Sequence, residues 1–509
     1  MQMERLEVKE EMGIGIFFQY VNSIATVLAG FIFYIYIIRS YSSEFVGTVA
    51  LLLAITSLLN IFFSLGLGYG LQHYISYHMG KSEFGQIRKM ISKFSLVGLL
   101  LGFLSLLFLY FSSPILVMLF FHASRYILLV RYLGFDLMFM VLSTFLSGIL
   151  IGLQNFKSQA VWSVAGIIIT YSLPVILLAT LHSSIFIVIG WAAGYAFSSI
   201  AYSLIIMSRM GKMDGGANGA RMSPVLSYAL PIFLASIIVY GASYVDRFVV
   251  SYFLNLSLLG IYNFALLISS AITFIVAPFS PILLPKLSEM YGLEKREEIK
   301  NYVAKGIELI STIYVPVALL VAALSSSILL FLSSDEYLPA SIPVTIVLIV
   351  SSVFVSSNIL SVSLQGVRKT KIFLITSTSA LISNFIISIL LIPRYQMIGA
   401  SIGYSSINAV SFFILYYYAR KFDVLKFEGI KMAKIYISGF VMFVVILVVQ
   451  DVFLYSPLKL FLYIILGFGI YSGMIKMMKT FNRQDLDFIM LLIPWWLQRL
   501  TMVISTLFL

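Results

Sequence analysis

The chain has 509 residues, of which 61% are hydrophobic and 11% are charged. A soluble globular chain is roughly 45–50% apolar and about 25% charged, so this composition requires lipid as solvent and excludes a large aqueous domain. The net charge of +12 comes from Lys and Arg residues scattered between apolar runs, which argues against a nucleic-acid partner, and the absence of cysteine excludes disulfides and thiolate sites.

Apolar runs of about 20 residues recur along almost the whole chain and predict an all-α, polytopic membrane protein with about fourteen transmembrane helices. The acidic start of the chain lacks a small-residue cleavage site, so the first run is predicted to be a retained span. A first group of six spans is predicted at 13–38, 44–71, 92–111, 126–153, 159–181 and 184–207. After a Gly-rich linker, a second group of six is predicted at 224–251, 256–284, 309–332, 340–364, 371–392 and 397–418.

Two further spans are predicted at 430–450 and 458–475. The apolar tail at 488–509 is interrupted by Pro494, Gln498 and Arg499, so it is predicted to be an interfacial helix, with a fifteenth span as the alternative. The predicted division is therefore an N-lobe at 1–207, a cytoplasmic linker at 208–223, a C-lobe at 224–419, and a C-terminal part at 420–509.

Loop charges predict the orientation. If the N-terminus lies inside, 27 of the 33 Lys and Arg residues fall on or near the cytoplasmic side. We therefore predict a multi-pass protein of the cell membrane with both termini in the cytoplasm.

The two groups of six spans look like copies of each other. Matched stretches lie 209 to 213 residues apart: Gly190, Gly194 and Tyr195 with Gly399, Gly403 and Tyr404; Leu153-Gln154 with Leu364-Gln365; and Gly47 with Gly260. Because each copy holds an even number of spans, both enter the membrane in the same direction. Two six-helix repeats of this kind are typical of transporters that bind substrate between two halves.

Helix breakers occur at corresponding places in the second and eighth spans. They are Gly66, Gly68 and Gly70 in the former and Pro278, Pro281 and Pro285 in the latter. Interrupted segments at matching positions in two repeats point to a transport cavity. The alternative is that these residues serve only helix packing, since glycine and proline are common in membrane helices.

Four ionisable residues within predicted spans are candidate substrate-binding residues: Arg131, Asp136, Asp246 and Arg247. A charge at mid-bilayer costs at least about 2.5–3.5 kcal/mol, so such residues usually face a cavity or a partner. The arginines suit a phosphate or diphosphate group, and the aspartates suit a coupling cation (proton or sodium) or sugar hydroxyls. The structural alternative is that Arg131 extends to the interface and that the aspartates pair with neighbouring arginines.

Other polar features predict no chemistry of their own. The four histidines lack metal-ligand spacing, and the paired acids at 485–487 are predicted to lie on a solvated face, so no cofactor is expected. The charged run at 294–300 is predicted to be a solvated helix end whose positive residues favour anionic headgroups.

Several stretches resemble the polysaccharide-transporter family of lipid-linked oligosaccharide flippases, within the multidrug/oligosaccharidyl-lipid/polysaccharide exporter superfamily. They are the run from Ile38 to Gly47, the run from Ser64 to Lys81, Asp246-Arg247-Phe248, Leu259-Gly260-Ile261-Tyr262 and Pro281 to Ser288. The resemblance implies MATE-like, V-shaped lobes around a cationic cavity, through which a polyprenyl-diphosphate-linked glycan is flipped to the outer leaflet. Asp246 and Arg247 are the residues that it marks as a site.

The resulting hypothesis is a flippase that works by alternating access on a lipid-linked oligosaccharide, for cell-surface polysaccharide or glycoprotein synthesis, with membrane lipids as its other partners. The first alternative is a drug or organic-cation antiporter of the same superfamily. The second is a membrane glycosyltransferase or ligase, which would need a substantial external loop or soluble domain carrying acids and bases, and every predicted loop here is short.

Overall fold

The structure is a computed structural model that describes residues 2–211, 223–276, 279–426, 429–452 and 456–480. Every regular element in these ranges is a helix, so the predicted all-α class is confirmed. The chain divides into two compact units, one up to Gly241 and one from Ala242 onward. This boundary falls inside the helix Ser223–Phe253, which corresponds to the predicted seventh span. The predicted linker at 208–223 lies earlier in the chain, and its residues 212–222 lie outside the described ranges.

The first unit contains seven complete helices and the first part of an eighth. They are α1 (Gln2–Ser40), α2 (Ser43–Ser64), α3 (Leu67–Gly80), α4 (Phe84–Leu116), α5 (Ile127–Gly152), α6 (Phe156–Leu181), α7 (Ile185–Met210) and α8 (Ser223–Phe253). Helix α5 is central, because it packs against α2, α3, α4, α6 and α7. A π-helical turn, Val117–Phe121, extends α4.

The second span is broken at Gly66, between α2 and α3. Leu65 and Gly66 both have positive φ, at 51° and 67°. A Cβ placed on Gly66 would lie 2.7 Å from the carbonyl oxygen of Ala229 in α8, so neither this backbone angle nor this approach suits a larger residue. The break that the glycine cluster predicts is therefore present.

The second unit contains the rest of α8 and nine further helices. They are α9 (Leu256–Thr273), α10 (Phe279–Gly292), α11 (Arg296–Ala323), α12 (Ser325–Leu332), α13 (Ser341–Val353), α14 (Ser357–Gly366), α15 (Lys371–Lys421), α16 (Gly429–Val452) and α17 (Pro457–Met477). In the eighth predicted span, α9 ends at Thr273, a 3₁₀ turn follows at Phe274–Val276, and α10 begins at Phe279. The predicted helix breaker Pro278 lies outside the described residues.

The predicted tenth span, 340–364, is two helices rather than one. Helix α13 ends at Val353 and α14 begins at Ser357. The hydroxyl of Tyr436, from α16, donates to the carbonyl oxygens of Ser352 and Val353 at 3.0 and 3.1 Å. These carbonyls lie at the end of α13, where the helix no longer supplies donors, so a distant side chain supports the break.

Helix α15 is a hairpin of two helical limbs, with a non-helical residue, Gln396 (φ 48°, ψ −126°), at the bend. Its 51 residues would reach about 76 Å if straight at about 1.5 Å per residue, more than twice a hydrocarbon core of about 30 Å. Thirteen helical segments of the described chain are long and apolar enough to cross a membrane, and one of them is this hairpin. Because the hairpin can cross twice, these thirteen segments correspond to fourteen crossings in the described ranges, in agreement with the predicted number. The tail at 488–509 lies outside these ranges.

The matched Gly-Tyr motifs make the same kind of contact in both units. A Cβ on Gly194 of α7 would overlap the Thr170 hydroxyl of α6, and a Cβ on Gly403 would overlap the Ser388 hydroxyl across the α15 hairpin. In each unit the glycine lets two consecutive antiparallel helices approach closely. The repeated glycine of the sequence thus has the same role in helix packing in both units.

Candidate functional site

Asp246 is fully buried on α8, in the second unit. Its Oδ2 accepts a hydrogen bond from the hydroxyl of Tyr262, on α9, at 2.6 Å. Its Oδ1 accepts no hydrogen bond from any described residue and lies 4.0 Å from Nη1 of Arg247. One carboxylate oxygen is thus anchored by a hydroxyl, while the other has only a long ionic contact.

Arg247 follows Asp246 on α8, but its partners are different. Its Nε donates to Oδ1 of Asn263 at 3.1 Å, and its Nη1 donates to the carbonyl oxygen of Ser243 at 2.5 Å. The guanidinium also lies over the ring of Tyr244, with its Cζ 4.7 Å from the ring centroid. The side chain is 15% exposed, against 0% for Asp246, so the cation is held in place while part of it remains accessible.

Both limbs of the α15 hairpin reach the same cluster. The buried side chain of Asn384, on the first limb, donates through Nδ2 to the carbonyl oxygen of Ala242 at 3.0 Å, one turn before Asp246. Its Oδ1 accepts from the hydroxyl of Ser388 at 3.0 Å. On the second limb, the carbonyl oxygen of Ala400 lies 3.4 Å from the hydroxyl oxygen of Tyr262. Helices α8, α9 and α15 therefore surround Asp246 with oxygen and amide groups.

Asp136 is a different kind of site, in the first unit. It lies on the central helix α5 and is 2% exposed. No described residue forms a hydrogen bond or ion pair with it, and Oδ1 is a buried oxygen without a donor. Burying a carboxylate without a partner is costly, so Asp136 lacks the compensation that Tyr262 gives Asp246.

Arg131 precedes Asp136 by five residues on α5, and the structure does not pair the two. The Nε of Arg131 donates to the hydroxyl of Ser113 at 3.3 Å, and its guanidinium lies over the ring of Tyr110, 4.7 Å from the centroid. Both partners belong to α4. The predicted site residues thus form one close pair, Asp246 with Arg247, and two separate groups in the first unit.

Sequence reasoning missed three side chains of the Asp246 cluster: Tyr262, Asn263 and Asn384. Tyr262 lies in a stretch that was singled out for its resemblance, but it carried no predicted role. Asn263 and Asn384 are amides inside apolar helices, and both are buried. A buried amide in a membrane helix needs a partner, so a search for isolated amides within spans would have found both.

The polar groups around Asp246 are hydroxyl, amide and carbonyl groups, and their chemistry limits the kind of ion that could bind there. Among the residues that the structure describes, no group of three or more His, Cys, Asp or Glu side chains could hold a metal ion. Carboxylate, amide and carbonyl oxygens prefer hard ions over soft transition metals. The groups around Asp246 are therefore of the kind that suits hard ions rather than soft transition metals.

Comparison with known families decides the class of the protein. Residues 13–291, more than half of the chain, match the family described as polysaccharide biosynthesis protein, and residues 231–390 match the MatE family. The chain belongs to the polysaccharide biosynthesis protein family. The second match includes Asp246, Arg247, Tyr262 and Asn384.

Solved structures with similar folds are transporters and a flippase, not enzymes. The lipid II flippase MurJ, in an inward closed conformation, has a TM-score of 0.69 at 18% identity and covers 90% of this chain and 98% of its own. An inward-facing multidrug resistance MATE family transporter of the MOP superfamily has a TM-score of 0.63 at 14% identity, covering 78% of this chain and 94% of its own.

Two curated relatives are uncharacterized membrane proteins of Methanocaldococcus jannaschii. One is 22% identical over 466 residues, which is 86% of this chain and 89% of that protein. The other is 27% identical over 194 residues, which is 38% of this chain and 44% of that protein, so the match spans less than half of its length. The resemblance inferred from the sequence is thus confirmed at the level of the family.

Proposed function

We propose that the protein is a flippase that moves a polyprenyl-phosphate-linked or polyprenyl-diphosphate-linked oligosaccharide from the cytoplasmic to the outer leaflet. It would act by alternating access and supply cell-surface polysaccharide or glycoprotein synthesis. The observation that carries the proposal is the partly exposed Arg247 beside buried Asp246, within a member of the polysaccharide biosynthesis protein family.

Arg247 suits a phosphate group of such a substrate. A guanidinium presents planar N–H donors that match phosphate oxygens, and Asn263, Ser243 and Tyr244 hold this one in a defined orientation. Preorganisation matters, because a donor that is already oriented loses less entropy when it binds. We therefore assign phosphate recognition to Arg247.

The two buried carboxylates are proposed to bind the coupling cation, a proton or a sodium ion. Each has a buried Oδ1 that accepts no hydrogen bond from a described residue. Asp246 has Arg247 at 4.0 Å, so a cation bound at Asp246 would compete with this ion pair. Cation binding and the position of the Arg247 guanidinium would then be linked.

The MatE match supports a second candidate function, a drug or organic-cation antiporter, because it includes the Asp246 cluster. In that case an organic cation would bind the carboxylate and aromatic groups, and Arg247 would repel it. Replacing Arg247 with alanine should then raise organic-cation transport, whereas it should lower glycolipid transport.

The test is transport by purified protein in proteoliposomes that contain a fluorescent polyprenyl-diphosphate glycan. An impermeant quencher reports the fraction of label in the outer leaflet. R247A should slow translocation about 10- to 100-fold, because a hydrogen bond to a charged group contributes about 1.5–3 kcal/mol. R394A removes an exposed arginine and is the matched control, with an unchanged rate expected. A wild-type rate no faster than protein-free liposomes would refute the proposal.

A further inference from the structure

The second unit has a cavity of about 300 Å³ whose lining includes no residue of the Asp246 cluster. It is formed where α10 ends, where α11 begins, at the turn between α14 and α15, and where α15 ends. The buried residues Ile299, Val367 and Val424 make an apolar lining. By the predicted orientation, these turns lie on the cytoplasmic side.

Three cations line the same cavity: Arg296, Lys369 and Lys421. Within the described ranges, none of them forms an ion pair with an acidic side chain. The one acid in the lining, Asp423, is bridged to Lys300 at 2.6 Å. The lining therefore carries a net positive charge.

An aromatic ring and five helix ends lie beside the three cations. The ammonium of Lys369 lies 4.5 Å from the centroid of the Phe422 ring, which also lines the cavity. Helix α11 begins at Arg296, and α15 begins two residues after Lys369. Helix N-termini carry partial positive charge and C-termini partial negative charge, and α10, α14 and α15 all end at this cavity, so the positive charge of the site comes from the three side chains.

We propose that this cavity binds a phosphate ester, with Arg296, Lys369 and Lys421 on the phosphate and the apolar lining against its organic part. A volume of about 300 Å³ is at the small end of ligand sites and suits a headgroup rather than a whole lipid. The same chemistry occurs in an anionic phospholipid headgroup of the adjacent leaflet and in a soluble phosphate ester. Neither the flippase proposal nor its Arg247 site is required for this binding.

The test is calorimetric titration of the full chain in neutral detergent with two probes. The first is dihexanoyl phosphatidylglycerol below its micelle concentration, and the second is glycerol 1-phosphate. One equivalent should bind, and R296Q/K369Q/K421Q should weaken binding at least tenfold. The variant R296K/K369R/K421R should bind within about threefold of the wild type, because it keeps all three positive charges. A loss of binding in both variants would indicate altered folding rather than lost charge.

A matched control is R88Q/K89Q/K93Q, which removes three exposed cations from the first unit on the same predicted face. It should leave binding unchanged. Binding of the short-chain lipid alone assigns the site to a lipid headgroup, and equal binding of both probes assigns it to a soluble phosphate ester. The proposal is overturned if neither probe binds or if both triple-Gln variants weaken binding equally.

Discussion

At the scale of single residues, the hydrogen bond from Tyr262 to Asp246 holds the candidate site together. Tyr262 is buried, and its hydroxyl is the donor to a buried carboxylate. Y262F removes the donor and leaves the carboxylate of Asp246 without a side-chain hydrogen bond, which costs about 1.5–3 kcal/mol. We expect a lower unfolding temperature in detergent and slower transport. Y395F, at a tyrosine that is 55% exposed, should change neither quantity; a Y262F protein as stable and active as wild type would contradict this role.

Asp136 allows the opposite prediction for stability. Its carboxylate has no partner among the described residues, so D136N removes a burial cost without removing a contact. The variant should unfold at an equal or higher temperature. If Asp136 binds the coupling cation, glycolipid transport by D136N should no longer respond to an imposed proton or sodium gradient. Transport that still responds as in the wild type would remove Asp136 from coupling.

At the scale of helices, the break at Gly66 is the feature most open to test. An alanine there must adopt φ near +67° with its Cβ 2.7 Å from the Ala229 carbonyl oxygen. The left-handed backbone alone costs about 1–2 kcal/mol, and the close contact adds to this. G66A should therefore lower the unfolding temperature of the purified protein. G80A is the matched control, because a Cβ on Gly80 would meet nothing within 4 Å; equal effects of the two changes would contradict the prediction.

The two kinds of helix break differ in how far the sequence predicts them. Gly66 marks its own break, since glycine tolerates the left-handed backbone that the turn requires. The break after Val353 has no glycine or proline at its centre, and its freed carbonyls are satisfied by Tyr436, 83 residues further along the chain. A local pattern cannot indicate a donor at that distance, which is why the span at 340–364 was predicted as one helix.

At the scale of the whole molecule, the orientation in the membrane remains a prediction from loop charge. The chain contains no cysteine, so single cysteines can be labelled without a background. S42C and S82C lie in consecutive exposed loops on either side of the second span. An impermeant maleimide should label S42C in intact cells and S82C only after permeabilisation. The reverse pattern would place both termini outside.

The all-α class and the approximate number of spans could be predicted from the sequence, because a long apolar run in lipid must form a helix to pair its own backbone groups. The family could be predicted because short sequence motifs carry the resemblance. The loop charges and the repeated glycine motifs are likewise local features. The candidate site is different. Asp246 and Arg247 stand out as charges in an apolar run, but their surroundings come from α9 and from both limbs of α15.

Asn384 reaches the Asp246 cluster from 142 residues away along the chain, and Asp136 is left without a partner although Arg131 is only five residues before it. Whether a buried charge is neutralised depends on which helices pack beside it, and helix packing is a long-range property. The sequence therefore determines that these charges enter the membrane, and only the tertiary structure decides which of them are paired there.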